Sequence, residues 1–128
     1  MDLTISRVAL AQILQAASAS PDREICGLLL GSGHAVDEVL PCVNVAAEPR
    51  DSFEIDPAAL IGAWRAARSG GIAPIGHYHS HPDGSTRPSP RDAALAEPGS
   101  FWIIVGDGDA SCWRAEASGF VSVDLRIA

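Results

Sequence analysis

His77-Tyr78-His79-Ser80-His81-Pro82 places three of the four histidines of this chain within five residues, and a polar loop then leads to Pro88-Ser89-Pro90-Arg91-Asp92. The stretch from Ile72 to about His81 reads as a strand broken by Pro82. In a strand, alternate side chains share a face, so the three imidazoles point the same way. Neutral imidazoles gathered on one face are costly in a core and well suited to a metal. A His-x-His pair at a strand end can chelate Zn²⁺, and Asp92, eleven positions after His81, can fold back to join it. Two histidines and one carboxylate leave a fourth tetrahedral position for water, the arrangement of a catalytic rather than a structural site. A plainer role is compatible with this one: Ser89, Pro90 and Asp92 stand at the N-cap, first and third positions of a short helix running to Ala96.

Upstream, Leu10, Ile13, Leu14 and Ala17 follow helical spacing behind a Ser6 cap, so Val8 to Ala19 is expected to be an amphipathic helix. Ile25-Cys26-Gly27-Leu28-Leu29-Leu30 reads as a strand buried on both faces, with Val36 to Val43 as its hairpin partner across Gly31-Ser32-Gly33. A brief strand is expected at Phe53-Glu54-Ile55. Asp56-Pro57 then opens a helix whose buried stripe is Leu60, Ile61 and Trp64 and which ends at Gly70-Gly71. Downstream, Phe101 to Val105 is an apolar strand, and Gly106-Asp107-Gly108 turns it into a strand around Cys112-Trp113. In the last strand Val121, Val123 and Leu125 alternate with polar residues. Helices interleaved with a mostly antiparallel sheet give an α/β (α+β) architecture, expected as a single domain over residues 1–128.

Composition narrows the function. The 128 residues carry sixteen Asp and Glu against nine Arg and no Lys, a net charge of −7. That balance argues against nucleic acid or an anionic membrane as the main partner. A hydrophobic content of 47 % excludes a disordered spacer. Cys26, Cys42 and Cys112 form no C-x-x-C pair, which favours a reducing compartment. Asp2, Gln12 and Gln15 are out of place in a signal peptide, so a cytoplasmic location is expected.

His79-x-His81, ten intervening residues and Asp92, with Ser89 three before the aspartate, resemble the JAMM motif of MPN+ metalloproteases. Glu24-Ile25-Cys26-Gly27-Leu28-Leu29-Leu30-Gly31 resembles that family's first-strand signature, in which a glutamate precedes the strand. Asn44 and the Phe53 to Pro57 segment look like those of small bacterial members. The resemblance implies an MPN-type, cytidine-deaminase-like helix–sheet–helix fold with a curved sheet. It implies that His79, His81 and Asp92 ligate one Zn²⁺ with water as fourth ligand, that Glu24 is the general base, and that Ser89 steadies the oxyanion. General chemistry agrees, since zinc lowers the pKa of its water to about 7 and a nearby carboxylate takes the proton. A His77/His79 pair is geometrically possible, but the gap to Asp92 and the His81-Pro82 step favour His79/His81, leaving His77 as supporting, structural or substrate-facing.

A zinc nucleoside deaminase would need H-x-E and P-C-x-x-C, which the chain lacks. Cys26, beside Glu24, invites a Cys-His protease reading, yet a buried core cysteine is the expected role. The resemblance therefore implies a zinc metallopeptidase or isopeptidase acting after the Gly-Gly tail of a ubiquitin-like or sulfur-carrier protein. The alternative is a catalytically silent MPN scaffold that binds such a partner. The segments after Asn44 and after Asp92 are short, which counts against specificity for ubiquitin chains of one linkage.

Overall fold

Residues 1–128, all described by the computed structural model, run in the order β1 (Asp2–Ile5), α1 (Arg7–Ala19), β2 (Cys26–Ser32), β3 (Ala35–Cys42), α2 (Pro57–Arg68), β4 (Ala73–Ser80), α3 (Pro90–Leu95), β5 (Phe101–Gly106), β6 (Asp109–Glu116) and β7 (Gly119–Ile127). The strands pair in the order β1-β3-β2-β4-β5-β6-β7 and close on themselves. The antiparallel pairings are β2–β3, β2–β4, β5–β6 and β6–β7. Pairing is parallel for β1–β3, β1–β7 and β4–β5, so the sheet is mixed. Parallel β4 and β5 require a crossover connection, and that crossover carries α3.

The strand that closes the ring was not legible in the sequence. β1 has four residues, too few for a clear alternation, yet Leu3 and Ile5 are fully buried and the strand pairs with β3 on one side and β7 on the other. The strand expected at Phe53–Ile55 reduces to one bridge between Asn44 and Ile55.

β5 shows why an unbroken apolar run is a strand here. Phe101, Ile103 and Val105 enter one core cluster with Leu3, Ile5, Ile13, Leu29 and Tyr78, while Trp102 and Ile104 enter a second with Cys26, Phe53 and Ala115. Alternate residues thus feed opposite faces, and both faces are covered. α1 covers the larger cluster with Ala9 and Ile13, and the Ser6 hydroxyl accepts the Ala9 N–H at 3.1 Å to cap it. Gly27 sits against the Tyr78 ring, where no Cβ fits.

α2 departs from expectation. Leu60, Ile61 and Trp64 are not a buried stripe; they are 38 %, 53 % and 45 % exposed. The half-buried row is Ala59, Ala63 and Ala67, spaced i, i+4, i+8 along the helix. Alanines let the helix lie close to the barrel, and the bulky side chains are left outside. Asp56 caps its start by accepting the Ala58 N–H at 3.1 Å.

Candidate metal centre

The last ladder pair of β2 with β4 is Cys26 with His79, and with β3 it is Cys26 with Cys42. Asn44, Glu24 and His81 each lie just beyond this end of β3, β2 and β4. β4 ends at Ser80, and the His81 N–H still donates to the Val105 carbonyl at 2.9 Å, so His81 stays fixed to β5 as the chain leaves. α3 then delivers Asp92. Its capping box is complete: the Ser89 hydroxyl accepts the Asp92 N–H at 3.1 Å, and Asp92 Oδ2 accepts the Ser89 N–H at 2.8 Å. Capping and site-building are therefore done by the same two residues.

Glu24, His79, His81 and Asp92 come together, each buried, with one ligand-type atom apiece all within 4.8 Å of one another. Three of these atoms form a near-equilateral triangle: His79 Nε2 to His81 Nε2 is 3.1 Å, His79 Nε2 to Asp92 Oδ2 is 3.2 Å, and His81 Nε2 to Asp92 Oδ2 is 3.1 Å. Tetrahedral ligands at the 2.0–2.1 Å of a zinc-sized ion stand about 3.3 Å apart, so the triangle has the right edge. The donor chemistry also fits. His81 Nδ1 lies 3.0 Å from the Ser85 carbonyl; donating its proton there leaves the Nε2 lone pair facing the triangle. On that tautomer the His81 lone pair and the Asp92 carboxylate face one point beside His79 Nε2, a donor set that suits a cation. Glu24 Oε1 is buried with no hydrogen-bond partner in the protein.

Electrostatics separates the two carboxyls. Burial pushes Glu24 up to about 7, with the His81 charge opposing and Asp92 adding to the rise. Burial pushes Asp92 up, but its close contacts with His79 and His81 outweigh this and hold it well below the usual carboxylate range. Burial pulls His79 down, whereas the bond to Asp92 carries His81 up against its own burial. A carboxylate that ionises easily beside one that resists is the pattern of a ligand beside a base.

The remaining residues sort themselves by contact. His77 is outside the cluster; its ring meets Trp102 edge-on at 4.2 Å, and burial pulls it down to about 3. Phe53 stacks on His79 at 4.3 Å with an interplanar angle of 21°. Burial pushes the Cys26 thiol up to about 12, which removes the thiolate that a Cys-His protease would need. Three supports complete the surroundings; Asn44 was singled out in the sequence by resemblance without a role, while Ser80 and Thr86 were not. Ser80 accepts the Ile25 N–H through its hydroxyl at 2.9 Å. The Asn44 amide binds four backbone groups around Glu24. The Trp113 indole N–H and the Ser111 hydroxyl tie Thr86, next to Ser85, onto β6 at 2.9 Å each. Strand alternation places Ser80 opposite its neighbouring histidines and so conceals it.

A family model described as prokaryotic homologs of the JAB domain matches residues 6–116. A desampylase from Haloferax volcanii is 38 % identical over 98 residues, covering 74 % of this chain and 70 % of that protein. A probable TtuB-protein conjugate cleaving protease from Thermus thermophilus is 37 % identical over 84 residues, covering 66 % of this chain and 56 % of that one. The crystal structure of a JAB1/MPN domain protein from Archaeoglobus fulgidus superposes with a TM-score of 0.65 at 28 % identity, covering 97 % of each chain.

Proposed function

Because this chain belongs to the prokaryotic homologs of the JAB domain, and is a hydrolase of the peptidase or isopeptidase type, we propose that it is a zinc enzyme that cuts the bond after the Gly-Gly tail of a ubiquitin-like or sulfur-carrier protein. The observation that carries this reading is the buried convergence of Glu24, His79, His81 and Asp92 within 4.8 Å. The named relatives, a desampylase and a conjugate-cleaving protease, support the substrate class. Residues 1–128 act as one domain in this reading, working in the cytoplasm. No helix is long and apolar enough to cross a membrane.

His79, His81 and Asp92 would hold the metal, which when bound would supply Lewis acidity toward the scissile carbonyl and the attacking water. Asp92 stays ionised for this task, and the Ser89 N–H keeps its Oδ2 in place. Ser85 fixes the His81 ring through Nδ1, and Phe53 fixes the His79 ring by stacking. Glu24 takes a proton from the attacking water and returns it to the leaving amine, a role open to its buried Oε1, which has no hydrogen-bond partner in the protein. The Ser89 hydroxyl oxygen already accepts the Asp92 N–H, so its own proton is free to donate to the developing oxyanion.

The test is incubation of the zinc-loaded protein with a panel of ubiquitin-like carriers bearing short C-terminal extensions, and with carrier–lysine conjugates, read by mass spectrometry. Release after Gly-Gly, abolished by a chelator and restored by zinc, is the expected result. Cleavage that survives full metal removal would overturn the reading.

A further inference from the structure

Glu24 lies just before β2, where the ordinary ladder stops, and its main chain is held by other means. Its N–H donates to the Pro49 carbonyl at 2.7 Å. On the β3 side, Asn44 Nδ2 donates to the Glu24 carbonyl at 2.9 Å and to the Ser52 carbonyl at 3.0 Å. Asn44 Oδ1 accepts the Ala46 N–H at 3.0 Å and the Glu54 N–H at 3.1 Å. Two donors and two acceptor sites are thus all used, which leaves the amide one orientation. On the β4 side, the Ser80 N–H donates to the Ile25 carbonyl at 3.1 Å, and the Ile25 N–H donates to the Ser80 hydroxyl at 2.9 Å. A side-chain oxygen thereby replaces the carbonyl a strand would offer. Ser80 is 5 % exposed and sits between His79 and His81, so the same residue belongs to the ligand strand and grips the chain beside the base.

We propose that Asn44 and Ser80 are positioning residues that clamp the Glu24 segment from its two neighbouring strands and set the distance of its carboxylate from the His79–His81–Asp92 triangle. This rests on the base role of Glu24 proposed above. Glu24 lies two residues beyond the last ladder pairs, where these side-chain bonds replace the ladder, and neither Asn44 nor Ser80 hydrogen-bonds the triangle's ligand atoms. Loss of either clamp therefore displaces the base and leaves the ligands in place. Proton transfer is sensitive to such displacement, since a misplacement of about 1 Å costs roughly a hundredfold in rate.

The experiment compares wild type, Ser80→Ala, Asn44→Ala and Glu24→Gln, each loaded with Co²⁺ as a visible reporter of the divalent site. Both alanine variants are expected to bind cobalt with wild-type affinity, with spectra displaced toward that of Glu24→Gln. Ser80→Thr, which keeps the hydroxyl, returns the wild-type spectrum. On an extended ubiquitin-like carrier, kcat falls by about tenfold to a hundredfold with KM unchanged, and neither substitution lowers turnover further in the Glu24→Gln background. If Asn44→Ala fails to fold, Asn44→Asp reads the same bond, because it keeps the acceptor and loses the donor to Glu24. Wild-type spectra in the alanine variants, or a cobalt affinity that falls in step with the spectral change, overturn the clamp. If the spectra shift as expected but wild type cleaves no carrier, the substrate reading falls and the clamp stands.

Discussion

Glu24 is a carboxyl group held where it resists ionisation, and two predictions follow from that one fact. In the zinc-loaded protein Glu24→Gln retains the metal, because the triangle does not include it, and lowers kcat by about 10²–10⁴; metal analysis and turnover on the same sample check this. In the metal-free protein, burial raises Glu24 from its ordinary 4.5 to about 7. The folded value exceeds the unfolded one, so the stability this group contributes is full below 4.5 and is lost as pH rises through about 7. Wild type should therefore lose stability relative to Glu24→Gln between about pH 5 and about pH 8, measured by urea unfolding in chelator. A constant difference between the two proteins would contradict the burial of this carboxyl. At this scale a His-x-His pair and a spaced aspartate carry a chemical signature of their own, whereas Glu24, an acid before a strand, was legible only through the family resemblance. Ser80 has none: a serine between two histidines carries no hint that its hydroxyl replaces a ladder carbonyl.

α3 and α2 show what periodicity captures and what it misses. The Ser89-Pro90-x-Asp92 start of α3 is a local rule, a cap read from three residues, and the capping box is present as expected. Because Asp92 serves both the cap and the triangle, Ser89→Ala should cost about 0.5–2 kcal/mol of stability and also weaken zinc binding by about 10–100-fold. Thermal unfolding with and without metal, together with chelator competition, separates the two losses. α2 instead depends on what it packs against. Its largest apolar residues point one way, but the barrel beneath accepts only the alanine row, so Leu60, Ile61 and Trp64 face outward. Ile61→Glu should accordingly change unfolding free energy by less than about 0.5 kcal/mol. A core position would lose several times that, so one denaturation curve decides between the buried stripe expected from spacing and the exposed face in the structure.

Across the whole molecule, the site lies where three segments distant in sequence meet at one end of the closed sheet. Glu24 precedes β2, His79 and His81 come from the end of β4, and Asp92 comes from the crossover to β5. Ring closure by β1 was hidden because pairing partners distant in sequence leave no local trace; the hairpins, whose turns are local, were legible. Without an ion, the crossover is held to β4 through the contacts of Asp92 with the two histidines and to β6 through Thr86. In the proposed zinc enzyme a bound dication would tie the same crossover to β4 and offset two of the seven net negative charges at one point. Binding to the folded form alone stabilises it by RT ln(1 + [L]/Kd), about 2.7 kcal/mol at a hundredfold excess over Kd. Chelation should therefore lower the melting temperature of wild type and of Glu24→Gln alike, with zinc restoring both. His81→Ala should melt at one temperature with or without chelator, since it removes a proposed ligand. If chelator leaves the wild-type melting temperature unchanged while zinc is shown to leave, the metal is not tying these pieces together, and the triangle contributes to chemistry without contributing to the fold.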